Sequence, residues 1–144
     1  MKKILCILCC LFLITGCSTS EKIVKPIKLT PREVLNKLQD TKQNSFLMYL
    51  TMDDCYTCEE YEKMIKEVQK TTPFDIYYIK LKLNETDKEI LSDLSELNIT
   101  IGDYTSLPTT FYFYQGSLLP ENKREGYIEK KDFTKWLKDL RILK

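Results

Sequence analysis

The stretch Ser45–Thr51, SFLMYLT, is apolar at nearly every position, and the segment Cys55–Lys70, CYTCEEYEKMIKEVQK, changes to a helical period. An unbroken apolar run of this length is what a strand covered on both faces requires. In the segment after it, Cys58, Tyr61, Met64, Ile65 and Val68 share one face, while Glu59, Glu62, Lys63, Lys66 and Glu67 point away. A doubly covered strand that feeds an amphipathic helix confines the chain to the α/β class, with helices on both faces of a sheet.

The rest of the chain supplies the other layers. Ile27–Leu29 reads as a short strand, and Thr30-Pro31-Arg32-Glu33 has the hydroxyl, the proline and the glutamate of a capping box. A helix to about Leu38 follows, burying Val34, Leu35 and Leu38. Phe74–Leu83 predicts a second long strand, and Thr86–Leu97 a helix with Ile90, Leu91, Leu94 and Leu97 inward. After an irregular link, NITIGDYTSLP, Thr109–Tyr114 and about Lys123–Tyr127 predict a hairpin. A closing helix from about Lys130 to Leu140 carries the stripe Phe133, Trp136, Leu137 and Leu140. The expected order is β α β α β α β β α around one mixed central sheet.

Charge and composition exclude several function classes. Lys and Arg total 22 against 21 Asp and Glu, and no run of like charge marks a nucleic-acid footprint, so no nucleic-acid partner is expected. The chain has no histidine, which removes imidazole acid/base catalysis, Cys-His and Ser-His nucleophiles, and every His-containing zinc site. Any chemistry must come from cysteine, carboxylates, lysine or tyrosine.

The amino terminus, MKKILCILCCLFLITGCSTS, places two lysines before an apolar run that is too short for a lasting membrane span and suits a secretory signal. Ile14-Thr15-Gly16-Cys17 resembles the lipobox of bacterial lipoproteins, in which the cysteine is lipidated and becomes the first residue. The expected organisation is a signal peptide at 1–16, a lipidated Cys17 with a short tether to 26, and one domain at 27–144. That places the domain on the extracytoplasmic face of the cell membrane, held by a lipid anchor, where disulfides persist. Cys6, Cys9 and Cys10 leave with the signal and Cys17 carries lipid, so Cys55 and Cys58 remain as free sulfurs. Two sulfurs fall short of the four ligands of a structural zinc, and no metal is expected. A reactive pair and a structural staple both stay open, although a bridge over two residues removes little chain entropy.

The element order, Cys55-Tyr56-Thr57-Cys58 at the head of a helix, and Leu107-Pro108-Thr109 at the head of the late hairpin together resemble the thioredoxin superfamily. The resemblance covers about Ile27 to Leu140. Within it, the lipoprotein start and divergent motif look most similar to thioredoxin-like proteins of the bacteriocin-transport-accessory type of low-GC bacteria. The resemblance implies that Cys55 is the exposed nucleophile, Cys58 the buried resolving thiol, and Pro108 a cis-proline packed against the pair. It also implies that Tyr56, Thr57 and the backbone of Leu107 meet substrate, with Leu107 free to bond an incoming peptide in strand fashion.

The implied function is a thiol-disulfide oxidoreductase that acts on cysteine-containing proteins, is reset by a membrane redox partner and uses no cofactor. The alternative is a non-enzymatic accessory module that binds peptides and assists secretion, with Cys55–Cys58 as a static disulfide. The chain also departs from the family pattern. The inner pair is Tyr56-Thr57 rather than Gly-Pro, Asp54 replaces the usual tryptophan, and Tyr49 stands where the family carries a buried acid. Proton handling then falls to water, Tyr49 or a lysine of the next strand such as Lys80.

The electrostatics of the pair oppose one another. A helix amino terminus stabilises a thiolate at Cys55, whereas Asp53, Asp54, Glu59, Glu60 and Glu62 disfavour it and Lys63 is the nearest cation in sequence. The balance predicts a Cys55 pKa nearer ~7 than ~3.5. The same acids are candidates for steering basic protein segments to the site.

Overall fold

The computed structural model describes residues 24–40 and 45–144. The expected signal peptide, the Cys17 anchor and most of the tether lie outside the described residues. The elements are β1 Ile27–Lys28, α1 Pro31–Gln39, β2 Phe46–Met52, α2 Tyr56–Thr71, β3 Tyr77–Leu81, α3 Lys88–Ile101, β4 Thr109–Tyr114, β5 Ser117–Glu125 and α4 Lys130–Asp139.

The five strands lie in the order β1-β3-β2-β4-β5. β1, β3 and β2 are parallel, β4 runs antiparallel to β2, and β5 returns antiparallel to β4. β2 therefore occupies the middle of the sheet, as its apolar run requires, and its residues alternate between two cores. Leu47 and Tyr49 face α2 and α4 with Tyr61, Ile65, Phe133 and Leu137. Phe46, Met48 and Leu50 face α1 and α3 with Val34, Leu97, Phe111 and Phe113. The expected mixed sheet with helices on both faces is the architecture observed.

Local chemistry sets several boundaries. Thr30 and Glu33 form both bonds of the capping box at α1, with the Glu33 N–H donating to Thr30 Oγ1 at 3.2 Å and the Thr30 N–H to Glu33 Oε2 at 2.7 Å. The hairpin turns at Gln115 and Gly116, both at positive φ (49° and 77°), the conformation that suits the twist of a two-residue turn.

Four sequence expectations are corrected. β3 spans Tyr77–Leu81 rather than Phe74–Leu83: Phe74 and Ile76 are core residues ahead of the strand, and Leu83 lies beyond it with 79% exposure. α3 starts later, with Asp87 as its N-cap, and runs on through Asn98-Ile99-Thr100-Ile101, which had read as irregular. Burial of Leu97 and Ile101 overrides the weak helix propensity of that β-branched tail. Leu91 faces solvent, while Asp93 takes an inward position where it pairs with Arg32 of α1. β5 begins directly after the turn and includes Pro120, because an irregularity in the β4–β5 register near Phe111 and Phe113 lets an edge strand carry a proline.

Candidate active site

Cys55 is the N-cap of α2, where the chain leaves β2 through Asp53 and Asp54. Asp54 adopts a positive φ of 56°, a conformation that Asp tolerates better than most residues. The Cys58 N–H donates to Cys55 Sγ at 3.2 Å and shares its proton with the Cys55 carbonyl at 3.0 Å, so an amide of the first turn faces the sulfur. Cys55 and Cys58 form a disulfide with Cα atoms 5.2 Å apart. Cys55 is half-buried, whereas Cys58 is only 2% exposed. The asymmetry follows from the helix: position 55 caps its open end, and position 58 begins the stripe that continues through Tyr61 and Ile65.

The Leu107–Pro108 bond is cis and lies against this helix end. Thr57 Oγ1 is 3.4 Å from the Leu107 carbonyl oxygen and 3.4 Å from Cys55 Sγ. The expectation that the Leu107 backbone is free therefore needs correction for its carbonyl, which has an internal partner. Tyr56 is 75% exposed at the mouth of the site. Tyr127 follows β5 and packs its ring on Tyr61 with centroids 6.0 Å apart.

The loop around Pro108 is held from β5. The Gly126 N–H donates to the Pro108 carbonyl at 2.7 Å, and the positive φ of 78° at Gly126 makes that turn available to glycine at little cost. Glu125 accepts from the Thr105 N–H at 2.8 Å and its hydroxyl at 2.7 Å, and pairs with Lys123 at 2.9 Å. The Lys123 ammonium first, and then the Thr105 donors, lower the Glu125 carboxyl to about 2. None of Glu125, Thr105 or Gly126 was singled out in the sequence, because twenty residues separate Glu125 from Thr105 and no local pattern marks the pair.

A pH dependence follows from Glu125. Its folded pKa lies below the ordinary value of 4.5, so its stabilising contribution is complete above that value and is lost as pH falls toward about 2. Thermal melts of the parent protein and Glu125→Gln should differ most near neutrality and converge in strong acid. A gap that stays constant across this window would show that the carboxylate does not fasten the loop.

Three of the acids near Cys55 have cationic partners, one of them from another strand and two from the next turn of α2. Lys80 reaches Asp53 at 2.5 Å, Lys63 pairs with Glu60 at 2.7 Å, and Lys66 with Glu62 at 2.5 Å. Lys80, expected from the sequence as a proton carrier, is thus the cation that offsets Asp53. Among the described residues Asp54 and Glu59 have no salt-bridge partner.

Two expected proton carriers are unsuited to the task. The Tyr49 side chain is fully buried, its hydroxyl has no hydrogen-bond partner among the described residues, and burial pushes its pKa up. The hydrogen bond to Asp53 raises the Lys80 pKa, so that side chain stays protonated near neutrality. Among the described residues no group of three or more His, Cys, Asp or Glu side chains could hold a metal ion. No described helix is long and apolar enough to cross a membrane.

A cysteine pair at the start of the helix after a central strand, faced by a cis-proline loop of the neighbouring antiparallel strand, defines a thioredoxin-like fold. The solved structures similar to this chain agree. Thioredoxin from Aeropyrum pernix superposes with a TM-score of 0.57 at 17% identity, covering 78% of this chain and 84% of its own. Thioredoxin NaTrxh from Nicotiana alata gives 0.56 at 18% identity, with 88% and 99% covered. Thioredoxin O1 from Arabidopsis thaliana in its oxidised state gives 0.54 at 21%, with 80% and 96% covered. No protein-family model matches the chain, and no curated protein matches it in sequence. The likeness is one of fold.

Proposed function

We propose that this protein exchanges disulfides with cysteine-containing proteins while its Cys17 lipid holds it at the extracytoplasmic face of the cell membrane. The observation that carries the reading is the joined Cys55–Cys58 pair, with one sulfur at a helix start and the other buried, facing Leu107-Pro108. The membrane location rests on the charged, apolar and Gly16-Cys17 pattern of the amino terminus. That start and the Tyr56-Thr57 inner pair also support likeness to the bacteriocin-transport-accessory type.

In the reducing direction, the Cys55 thiolate attacks a substrate disulfide. A bond forms between Cys55 and one substrate sulfur, and the other substrate sulfur leaves and takes a proton. Cys58 then loses its proton and attacks Cys55. The mixed disulfide breaks, the second substrate thiol departs, and two electrons have passed from the protein pair to the substrate. The reverse sequence oxidises a substrate dithiol. With Tyr49 and Lys80 unsuited, solvent water accepts the Cys58 proton. A redox partner in the membrane resets the pair.

A second reading has one observation on its side. Tyr49 occupies the position from which a buried carboxylate serves this chemistry in the resembling family, which suits a peptide-binding accessory module with a static disulfide. The reduction potential decides between them. Equilibrated in graded thiol-disulfide buffers, an exchanging pair should titrate between about −120 mV, typical of oxidants, and about −270 mV, typical of reductants. A pair that resists reduction below about −300 mV behaves as a structural disulfide and leaves the binding module.

A further inference from the structure

Thr57 stands between the two halves of the site. Its hydroxyl oxygen is 3.4 Å from Cys55 Sγ and 3.4 Å from the Leu107 carbonyl oxygen. A hydroxyl has one proton to donate, so it satisfies one of these acceptors at a time. The neighbouring carbonyls are already served: Ser106 by the Thr109 hydroxyl and Pro108 by the Gly126 N–H. Among the described residues, Leu107 is the residue of this turn whose carbonyl depends on a donor that has another acceptor within reach.

The charge on the sulfur decides the choice. In the disulfide, Cys55 Sγ is a weak acceptor and the proton belongs to the Leu107 carbonyl. In the dithiol form, ionised Cys55 carries a full negative charge, and a hydrogen bond to an ion is roughly twice as strong as a neutral one. Building on the exchange reading above, we propose that Thr57 is a redox-coupled positioning residue. Its hydroxyl caps the Leu107 carbonyl while the pair is oxidised. It turns to the Cys55 thiolate on reduction, which opens that carbonyl to a substrate backbone N–H.

The device orders the reducing cycle. The dithiol form presents the open carbonyl and docks an extended substrate segment as an added strand. The thiolate charge disappears when Cys55 bonds the substrate sulfur, so from the mixed disulfide onward the Thr57 proton returns to Leu107, and it stays there once the second exchange closes Cys55–Cys58. The docked segment thus loses a backbone hydrogen bond ahead of the second exchange that releases it. The preparatory step balances with a dithiol as reductant: two electrons break the Cys55–Cys58 bond, two protons complete both thiols, and the donor closes to its own disulfide. Cys55 afterwards gives its proton to water.

Two readouts on the full chain in detergent test the device without an identified substrate. The carbonyl carbon of Leu107, followed by NMR, should move upfield when dithiothreitol reduces the parent protein, because it loses a hydrogen bond. In Thr57→Val it should already resonate upfield in the oxidised form, and reduction should leave it nearly in place. In the same variant the thiolate fraction of Cys55, read by its ultraviolet absorbance below the titration midpoint, should fall about three- to tenfold.

Thr57→Ser keeps a hydroxyl and should restore both signals. The charged surroundings stay constant across the three proteins: Asp53 with Lys80 from β3, Glu60 with Lys63, Glu62 with Lys66, and Asp54 and Glu59, which have no salt-bridge partner among the described residues. A Leu107 carbonyl that responds to reduction equally with threonine and valine would overturn the proposal, as would an unchanged thiolate fraction. Failure of the exchange reading has a separate signature. The parent protein would not reduce a protein disulfide such as those of insulin, while the Leu107 signal would still report where the hydroxyl points.

Discussion

Cys58→Ser is expected to turn the protein into a trap. Incubated with a disulfide-bearing protein, it should accumulate as a mixed disulfide through Cys55, visible by non-reducing electrophoresis and intact mass. Cys55→Ser should form almost none, and both variants should lose turnover by more than about 10³-fold. The asymmetry comes from position. Cys55 is half-buried at the helix cap, where the Cys58 N–H points at its sulfur, so it meets substrate and leaves again as a stabilised thiolate. Cys58 is 2% exposed and reaches only Cys55. Without it the mixed disulfide has no internal exit and persists until an external thiol arrives. If the adduct formed equally through either cysteine, or in neither variant, the division of roles would fail. Partner binding that survives loss of both sulfurs would identify the accessory module.

Phe133→Ala is expected to cost about 3–5 kcal/mol of folding stability, the range for truncating a buried aromatic to a cavity. Phe133 of α4 is fully buried. It meets Tyr61 of α2 edge-on at 5.9 Å, Phe74 at 6.1 Å and Trp136 of its own helix at 6.4 Å. It therefore joins α4 to α2 and to the chain entering β3, and its truncation leaves a cavity among these rings. Against the roughly 5–15 kcal/mol typical of a domain, this removes a large fraction of the total. Urea unfolding of the oxidised protein should show a lower midpoint with an unchanged slope, and Phe133→Leu should fall between the two. A loss under about 1 kcal/mol would mean that α4 does not share the core of α2.

Both results depend on features that differ in how far the sequence exposes them. The apolar run at 46–50 and the helical stripe after it were legible because burial on two faces and burial on one leave distinct periods. The Thr30–Glu33 cap was legible because its donors and acceptors lie three residues apart. The far end of α3 was not, since Asn98–Ile101 is held helical by what Leu97 and Ile101 bury rather than by its own propensity. The β5 boundary was misplaced for a related reason: a proline reads locally as a strand breaker, and only an edge position with an irregular register admits it.

The sequence by itself determined the α/β class, the location of the two sulfurs at a strand-to-helix junction, and the absence of any imidazole chemistry. These are properties of residue type and period, which act over a few turns of chain. Tertiary structure alone decided that Lys80 neutralises Asp53, that Glu125 fastens Thr105, and that Tyr49 lies too deep to carry a proton. It alone placed the Thr57 hydroxyl between Cys55 and Leu107, fifty residues apart from the latter in sequence. Hydrogen bonds and ion pairs act over a few ångströms in space, and spacing along the chain carries no record of which distant groups folding brings within that range.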